Sequence, residues 1–248
     1  MILGERPWTD VRDALASGRP VVAILPCGAT EAHGPHLPLS TDVIISEGMA
    51  HRAAALLSDH NVMAFVLPSL AYAPAEYARS FAGTISIGAA AAKAVLFDIA
   101  RGLADQGFAC LAIANSHFDP ANVSMLREFA NEGRPPGLPI AFPDFTRRLL
   151  AQTLTEEFKS GACHAGQFET SLVMADRPDL VAESIQRQLP PNPSSLTEAI
   201  SKGLKTFNEA GGPDAYFGDP AGATSGEGRS TFEILSRALA DEILKAIT

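Results

Sequence analysis

Gly18-Arg19-Pro20-Val21-Val22-Ala23-Ile24-Leu25 places five consecutive apolar residues directly behind a Gly- and Pro-containing turn. A short unbroken apolar run suits a strand buried on both faces, because both side-chain directions of its pleat must then be apolar. Working outward, the period changes. Residues from about Asp42 to Leu57 read as an Ala-rich helix with Asp42 near its start. Val62 to Leu67, closed by Pro68, is a second strand, and Ala89 to Ala104 is an amphipathic helix ended near Gly107. Ala109 to Ala114 is a third apolar strand. A helix from Asp119 or Pro120 to Glu132, a strand from Leu138 to Phe142 and a helix from Phe145 to Phe158 continue the alternation. Such repetition predicts an α/β fold with a largely parallel sheet covered on both faces. Open sheets of this kind bind ligands beyond the carboxyl ends of their strands, and the conspicuous polar residues follow the first and third strands.

Further along, Pro190 to Ser195 is a Pro/Ser-rich loop and Gly211 to Gly228 is Gly-rich. Within the latter, Gly218-Asp219-Pro220 and Gly226-Glu227-Gly228 read as turn punctuation. Neither stretch is long enough for an interdomain linker and no internal repeat is present, so residues 1–248 are expected to form a single domain.

Bulk properties exclude several classes. Hydrophobic residues make up 46% of the chain and charged residues 19%, which allows a sizeable core and argues against disorder. The net charge is −9, and the 19 basic residues are scattered. A nucleic-acid binder needs clustered Lys and Arg, so no nucleic-acid partner is expected. Cys27, Cys110 and Cys163 are far apart and odd in number, which fits a reducing compartment better than a disulfide framework. The first residues lack a signal-peptide pattern, and no apolar run reaches the ~18 residues of a membrane span. A soluble, cytoplasmic protein with no membrane partner is expected.

Four of the six histidines fall in three clusters: Glu31-x-His33-x-x-His36 followed by Asp42; Asn115-Ser116-His117-Phe118-Asp119; and His164-Ala165-Gly166-Gln167-Phe168-Glu169-Thr170-Ser171. Imidazole with carboxylate suits Zn, Mn or Fe(II), whereas an all-oxygen set suits Mg or Ca. A carboxylate such as Asp42 has two oxygens and can bridge two ions ~3.5–4 Å apart, which together activate water and polarise a carbonyl. Structural roles compete with this reading. His51 and His60 suit capping or packing, and Asp42 and Asp119 could each be the N-cap of the helix that follows. The joint occurrence of the clusters at successive strand ends favours a site. No G-x-S-x-G elbow or Walker A loop is present. Cys163 beside His164 invites a Cys–His nucleophile, but sequence neighbours rarely point at each other.

The stretch Leu25-Pro26-Cys27-Gly28-Ala29-Thr30-Glu31-Ala32-His33-Gly34-Pro35-His36-Leu37-Pro38-Leu39-Ser40-Thr41-Asp42 resembles the creatininase (creatinine amidohydrolase) family. Further echoes, in the family's order, are Phe81-Ala82-Gly83-Thr84-Ile85-Ser86, Asn115-Ser116-His117, His164-Ala165-Gly166 with Glu169-Thr170-Ser171, and Gly218-Asp219-Pro220 with Ala223-Thr224. The resemblance implies a three-layer αβα sandwich with a mostly parallel central sheet, a homo-oligomer (often a hexamer), and two divalent metal ions per subunit, Zn, Mn or Fe. It implies Glu31, Asp42 and His117 on one ion, and His33, the shared Asp42 and Glu169 on the other. His36 is then left to support the loop or line the pocket. His164 becomes the residue that protonates the leaving nitrogen. Asp119 stands where creatininase itself has a glutamate, either as a ligand or as a proton carrier, with a side chain shorter by one C–C bond, ~1.5 Å.

Departures from the family bear on the substrate. Creatininase encloses its ring with tryptophans, whereas Trp8 is the only tryptophan here and Ser160 stands where one of them would align. Phe118 supplies an aromatic without a hydroxyl. Tyr77 and Arg79 either contact a polar substrate or pack at a subunit edge. The expected function is therefore amidohydrolysis by a dinuclear-metal-bound hydroxide, acting on a non-peptide C–N bond of a small, cyclic or related molecule other than creatinine. The alternatives are a peptidase or formamide deformylase of the same family, and a non-catalytic protein whose metals brace an oligomer.

Overall fold

The computed structural model describes residues 1–132, 134–161 and 164–248. A 3-10 turn (Leu3–Glu5) and helix α1 (Trp8–Leu15) lead into strand β1 (Val21–Cys27), whose seven residues are all buried. Then follow α2 (Thr41–Ser58), β2 (Met63–Val66), α3 (Ala89–Gln106), β3 (Cys110–Asn115), α4 (Pro120–Asn131) and β4 (Ile140–Ala141). Short helices α5 (Arg148–Ala151) and α6 (Glu156–Ser160) precede α7 (Gln167–Asp176). After α8 (Glu183–Gln186) and α9 (Leu196–Ser201) comes the long α10 (Ser225–Ile247).

The strands form one parallel sheet in the order β2-β1-β3-β4. Strand β1 feeds both directions, because its sequence neighbour β2 lies on one side and β3 on the other. Its pleat sorts the core. Val22 and Ile24 pack with Ile45, Met49 and Leu57 of α2 and with Phe232, Leu235 and Leu239 of α10. Val21, Ala23 and Leu25 pack on the opposite face with Leu96 and Leu103 of α3 and Leu126 and Phe129 of α4. Each fully buried Leu, Ile or Phe contributes ~1.5–3 kcal/mol relative to exposure, so a strand apolar on both faces is anchored twice. The result is the three-layer αβα sandwich. Among the described residues, no helix is long and apolar enough to cross a membrane.

Local chemistry sets the boundaries. Gly107 closes α3 at φ 85°, a left-handed cap that Gly adopts without a Cβ penalty. Asp119 caps α4, accepting from the Ala121 amide at 2.8 Å with Pro120 at the first helical position.

Three expectations need correction. The helix expected over Phe145–Phe158 is two short helices, because Thr155 breaks the run and caps α6 by accepting from Phe158 N. Gly226-Glu227-Gly228 is not a turn but the first turn of α10, capped by Thr224, which accepts from Glu227 N. Gly228 is where α10 meets α7: a Cβ there would lie 1.9 Å from Ser171 O. The strand expected over Leu138–Phe142 shrinks to Ile140–Ala141.

Candidate metal centre

The carboxyl ends of β1 and β3 lie side by side, with Cys27 opposite Asn115. Two loops leave from this switch point, where an open parallel sheet forms its crevice. The β1 loop carries Glu31 and His33 and returns through α2, which brings in Asp42 in its first turn. Gly28 permits that return, because a Cβ there would lie 2.6 Å from Val43 N and 2.8 Å from Asp42 Cβ. Two buried hydroxyls tie the junction together. Ser46 donates to Cys27 O at 2.6 Å and Ser116 donates to Asp42 O at 2.6 Å. His117 follows β3 and is steadied by Asn115 and Asn122, which both donate to its carbonyl at 2.9 Å.

The third cluster reaches the site from the far side. Ala165 sits in the left-handed region at φ 51°, a costly conformation for a residue with a Cβ. Its amide donates to Glu169 Oε2 at 2.6 Å. Glu157 holds the start of α7, accepting from Phe168 N at 2.8 Å and from Asp219 N at 2.7 Å.

Six of the residues singled out from sequence thus meet: Glu31, His33, Asp42, His117, His164 and Glu169 are all buried. Their potential ligand atoms fall into three groups, each lying within 4.8 Å of one another: Glu31, Asp42 and His117; His33, Asp42 and Glu169; and Glu31, His33 and His164. The imidazoles are oriented by backbone carbonyls, which can only accept. His33 Nδ1 faces Glu31 O at 3.1 Å, His117 Nε2 faces Pro74 O at 2.7 Å, and His164 Nε2 faces Ala32 O at 2.9 Å. Each carbonyl therefore fixes a proton on that nitrogen and leaves the opposite nitrogen with its lone pair.

Those lone pairs point at carboxylates. His33 Nε2 lies 3.3 Å from Asp42 Oδ1 and 3.5 Å from Glu169 Oε2, and among the described residues it has no hydrogen-bond partner. His117 Nδ1 lies 3.1 Å from Asp42 Oδ2 and 3.1 Å from Glu31 Oε1. Lone pairs aimed at carboxylates repel unless a cation or a proton stands between them. The donor set, mixed imidazole and carboxylate, fits divalent transition ions, and Asp42 turns one oxygen to each histidine.

Electrostatics give the same picture. Burial disfavours a charged His33, yet Asp42, Glu169 and Glu31 together outweigh it and lift its pKa to about 10. His117 is likewise raised, with burial overcome by Glu31 and Asp42. Asp42 is lowered, because His33 and His117 outweigh its own burial. Glu169 moves up to about 8, chiefly by burial. Without metal, protons supply the positive charge this pocket demands. His164 behaves differently: burial and the neighbouring His33 push its pKa well down, so its imidazole is held neutral. Its ring is sandwiched between His33 and Phe207, each at 4.3 Å centroid separation.

The remaining sequence candidates lie around this centre. His36 is buried but joins none of the three groups; its Nε2 contacts Thr170 Oγ1 at 2.9 Å, bracing the residue next to Glu169. Asp119 also stays outside the groups, since its carboxylate accepts from Ala121 N at 2.8 Å and from Glu76 N at 3.1 Å. Asp119, Phe118, Tyr77 and Ser160 line a cavity of about 620 Å³ that opens from Glu31, Asp42 and His117. Tyr77 donates to Leu204 O at 2.6 Å and Phe118 meets Phe158 edge-on at 5.5 Å. Arg79 pairs with Glu76 and borders a neighbouring surface hollow rather than this cavity. Cys163 lies outside the described residues. His51 and His60 are exposed and away from the site.

Sequence reading missed Ser46, Asn122, Glu157 and Phe207. One signal was present for Glu157: Thr155-Glu156-Glu157-Phe158 has the Thr and early acidic residues of a helix start.

The family model described as creatinine amidohydrolase matches residues 4–243. The mycofactocin precursor peptide peptidase of Mycobacterium ulcerans is 31% identical over 235 residues, covering 93% of this chain and 87% of that one. The creatinine amidohydrolase of Pseudomonas putida is 30% identical over 197 residues, covering 73% and 74%. A crystal structure of creatinine amidohydrolase superimposes with a TM-score of 0.73 at 25% identity, covering 99% and 97%. Solved creatininases of the same fold include forms described as Mn and as Zn–Zn. The chain belongs to the creatininase family of hydrolases.

Proposed function

We propose that this protein is a metal-dependent amidohydrolase that cleaves an amide C–N bond in a short peptide or similarly extended substrate. The observation that carries the hydrolase reading is the pair of carbonyl-locked imidazoles whose free nitrogens converge on the two oxygens of Asp42. Glu31, Asp42 and His117 would hold one divalent ion, and His33, Asp42 and Glu169 a second. Bound there, such ions supply Lewis-acid polarisation of the amide carbonyl and a more acidic water.

The chain's own residues do the rest. His164 Nδ1 lies 3.9 Å from Glu31 Oε1 and lacks the proton that Nε2 commits to Ala32 O. It can take a proton at Nδ1 from the attacking water. The lowered pKa then makes the protonated ring a strong donor to the departing nitrogen. Phe207 and His33 on either side keep the ring from turning away.

Cavity size supports the extended substrate. About 620 Å³, walled by Phe118, Phe158, Val123 and Ile200, suits a ligand much larger than one five-membered ring. The peptidase name of the mycobacterial relative agrees with that reading. A second reading, hydrolysis of a small cyclic amide, is favoured by the Pseudomonas putida relative. Metal analysis of the purified protein followed by product analysis on short peptides, formamides and cyclic ureides separates them. Peptide cleavage abolished by a chelator and restored by Mn or Zn is the expected result. Turnover of ureides alone selects the second reading, and activity indifferent to chelation rejects both.

A further inference from the structure

The cavity changes character along its length. Its inner end is the cluster of carboxylates and imidazoles, and its middle is apolar, with Phe118, Val123, Phe158, Leu196 and Ile200. Away from that end the lining carries two cations, Arg127 and Lys159, and one carboxylate, Glu198, which is paired with Lys202 at 2.7 Å, among the hydroxyl-bearing residues Thr146, Ser195, Thr197 and Ser201. A hydrolytic centre alone does not call for cations away from it.

Arg127 is placed by α4, which starts beside the centre, and Lys159 by α6. Asp119, Val123 and Arg127 are spaced by four residues on α4 and so share one face, which is the face turned to the cavity. Arg127 therefore lies about 12 Å along the helix from Asp119, at 1.5 Å per residue. An extended chain covers that span with three to four residues at ~3.3–3.6 Å each.

The guanidinium is held in place. Arg127 Nε donates to Asp144 Oδ2 at 2.6 Å, and one terminal nitrogen donates to Thr146 Oγ1 at 2.7 Å. Its other terminal nitrogen is committed to neither. Asp144 Oδ2 also receives Arg147 Nε at 3.2 Å, so one carboxylate is shared by two guanidiniums and the trio carries a net positive charge. The Arg127 side chain stays 35% exposed, so a ligand in the cavity can reach it. Lys159 is equally exposed, and its partner Glu156 is 90% exposed, a pair that water screens strongly. Here four cations, Arg127, Arg147, Lys159 and Lys202, meet three carboxylates, Asp144, Glu156 and Glu198, in a chain whose net charge is −9.

We infer that Arg127 and Lys159 form an anion subsite that receives a carboxylate of the substrate, about three residues beyond the amide to be cleaved and separated from it by an apolar side chain against Phe118 and Phe158. The inference rests on the extended-substrate reading above and deepens it. Arg presents a planar fork matched to a carboxylate, whereas Lys159 adds a point charge. The carboxylate could belong to a chain terminus or to an acidic side chain, and the probes can tell these apart.

The test uses calorimetric binding to the metal-loaded protein, so it does not depend on turnover. Three tetrapeptide probes share an apolar residue at the third position: one ends in a free carboxylate, one is C-terminally amidated, and one is amidated but carries a glutamate at its last position. The free acid is expected to bind at least tenfold more tightly than the neutral amide, and the ratio to fall close to one in Arg127→Gln/Lys159→Gln. Tight binding of the glutamate probe assigns the subsite to side chains, whereas weak binding assigns it to a terminus. Equal affinity for acid and neutral amide in the unaltered protein overturns the inference. So does an acid preference that survives the double substitution, because the carboxylate is then held at the metals. Lys159→Gln alone, on a half-exposed side chain, serves if the loss of Arg127 unfolds the protein, and it should lower the ratio severalfold. Failure to cleave any peptide, with acid preference intact, sinks the substrate reading while the subsite stands.

Discussion

At the scale of single residues, the site depends on which nitrogen of each imidazole is left free. Asp42 is the residue both candidate ion positions share, and Glu169 belongs to one of them. Asp42→Asn is therefore expected to remove nearly all bound metal, and Glu169→Gln about half, as read by elemental analysis of dialysed protein. Equal stoichiometry in the two variants would contradict the shared role. His36 supports a different expectation. Burial, reinforced by His33, lowers its pKa to about 4, below the ordinary ~6.5 it regains on unfolding. Its folded pKa is depressed, so the stability it contributes is whole above pH 6.5 and drains away as pH falls toward 4. The loss approaches about 3 kcal/mol at 1.36 kcal/mol per pKa unit. Denaturant titrations of His36→Gln should show a flatter decline than the parent over that range. The clustered carboxylates and imidazoles were legible because such residues at successive strand ends are conspicuous, while their division into two ligand groups came from the family resemblance. Ser46 and Asn122 were not, since a hydroxyl or amide within an apolar helix looks the same in sequence whether it faces solvent or a buried loop.

Elements were legible where period and punctuation agreed. Strand β1 announced itself through Val21–Leu25, and α3 through its stripe of Ala and Leu and its closing Gly107. Helices α7 and α10 escaped for opposite reasons. In α7, Phe168 to Val173 are buried without a break although Glu169, Thr170 and Ser171 are polar, so the sequence shows no apolar stripe at helical spacing. In α10, Gly226 and Gly228 resembled a turn, although Thr224-Ser225-Gly226-Glu227 carries the Thr-x-x-Glu spacing of a helix start. The prediction at this scale concerns the fit of α2 against β1. Gly28→Ala places a Cβ against the backbone at Asp42 and Val43, atoms that cannot swing aside. Overpacking of this kind costs ~1–3 kcal/mol. A melting temperature lower by roughly 2–10 °C, together with weakened metal retention, is expected. Thermal denaturation that leaves both unchanged would show that α2 can shift freely.

For the whole molecule, the centre ties the two halves of the chain, with Glu31, His33 and Asp42 close in sequence and His117 and Glu169 far away. Removing metal leaves three buried carboxylates to be neutralised by protons alone. A ligand present at a thousand times its Kd stabilises by about 4 kcal/mol, or roughly 8–16 °C in a chain of this size. Chelation should therefore lower the melting temperature by on the order of 10 °C in scanning calorimetry, and re-addition of Mn or Zn should restore it. No change on chelation would place the metals outside the folding equilibrium. The layered architecture was readable from strand–helix alternation, while cavity volume and the charge of its lining were not, because both arise from residues that only the fold brings together.

The packing of α10 against α2 and α7 has a consequence for the order in which the protein comes into being. During synthesis, Asp42 and Glu169 emerge well before Ser225–Ile247, the helix that grips both of the helices that carry them. A nascent chain thus displays its acidic loops while nothing yet fixes their spacing. The spacing of Asp42 and Glu169 is thus a property of the chain once α10 has docked, and not of the segments that carry them alone.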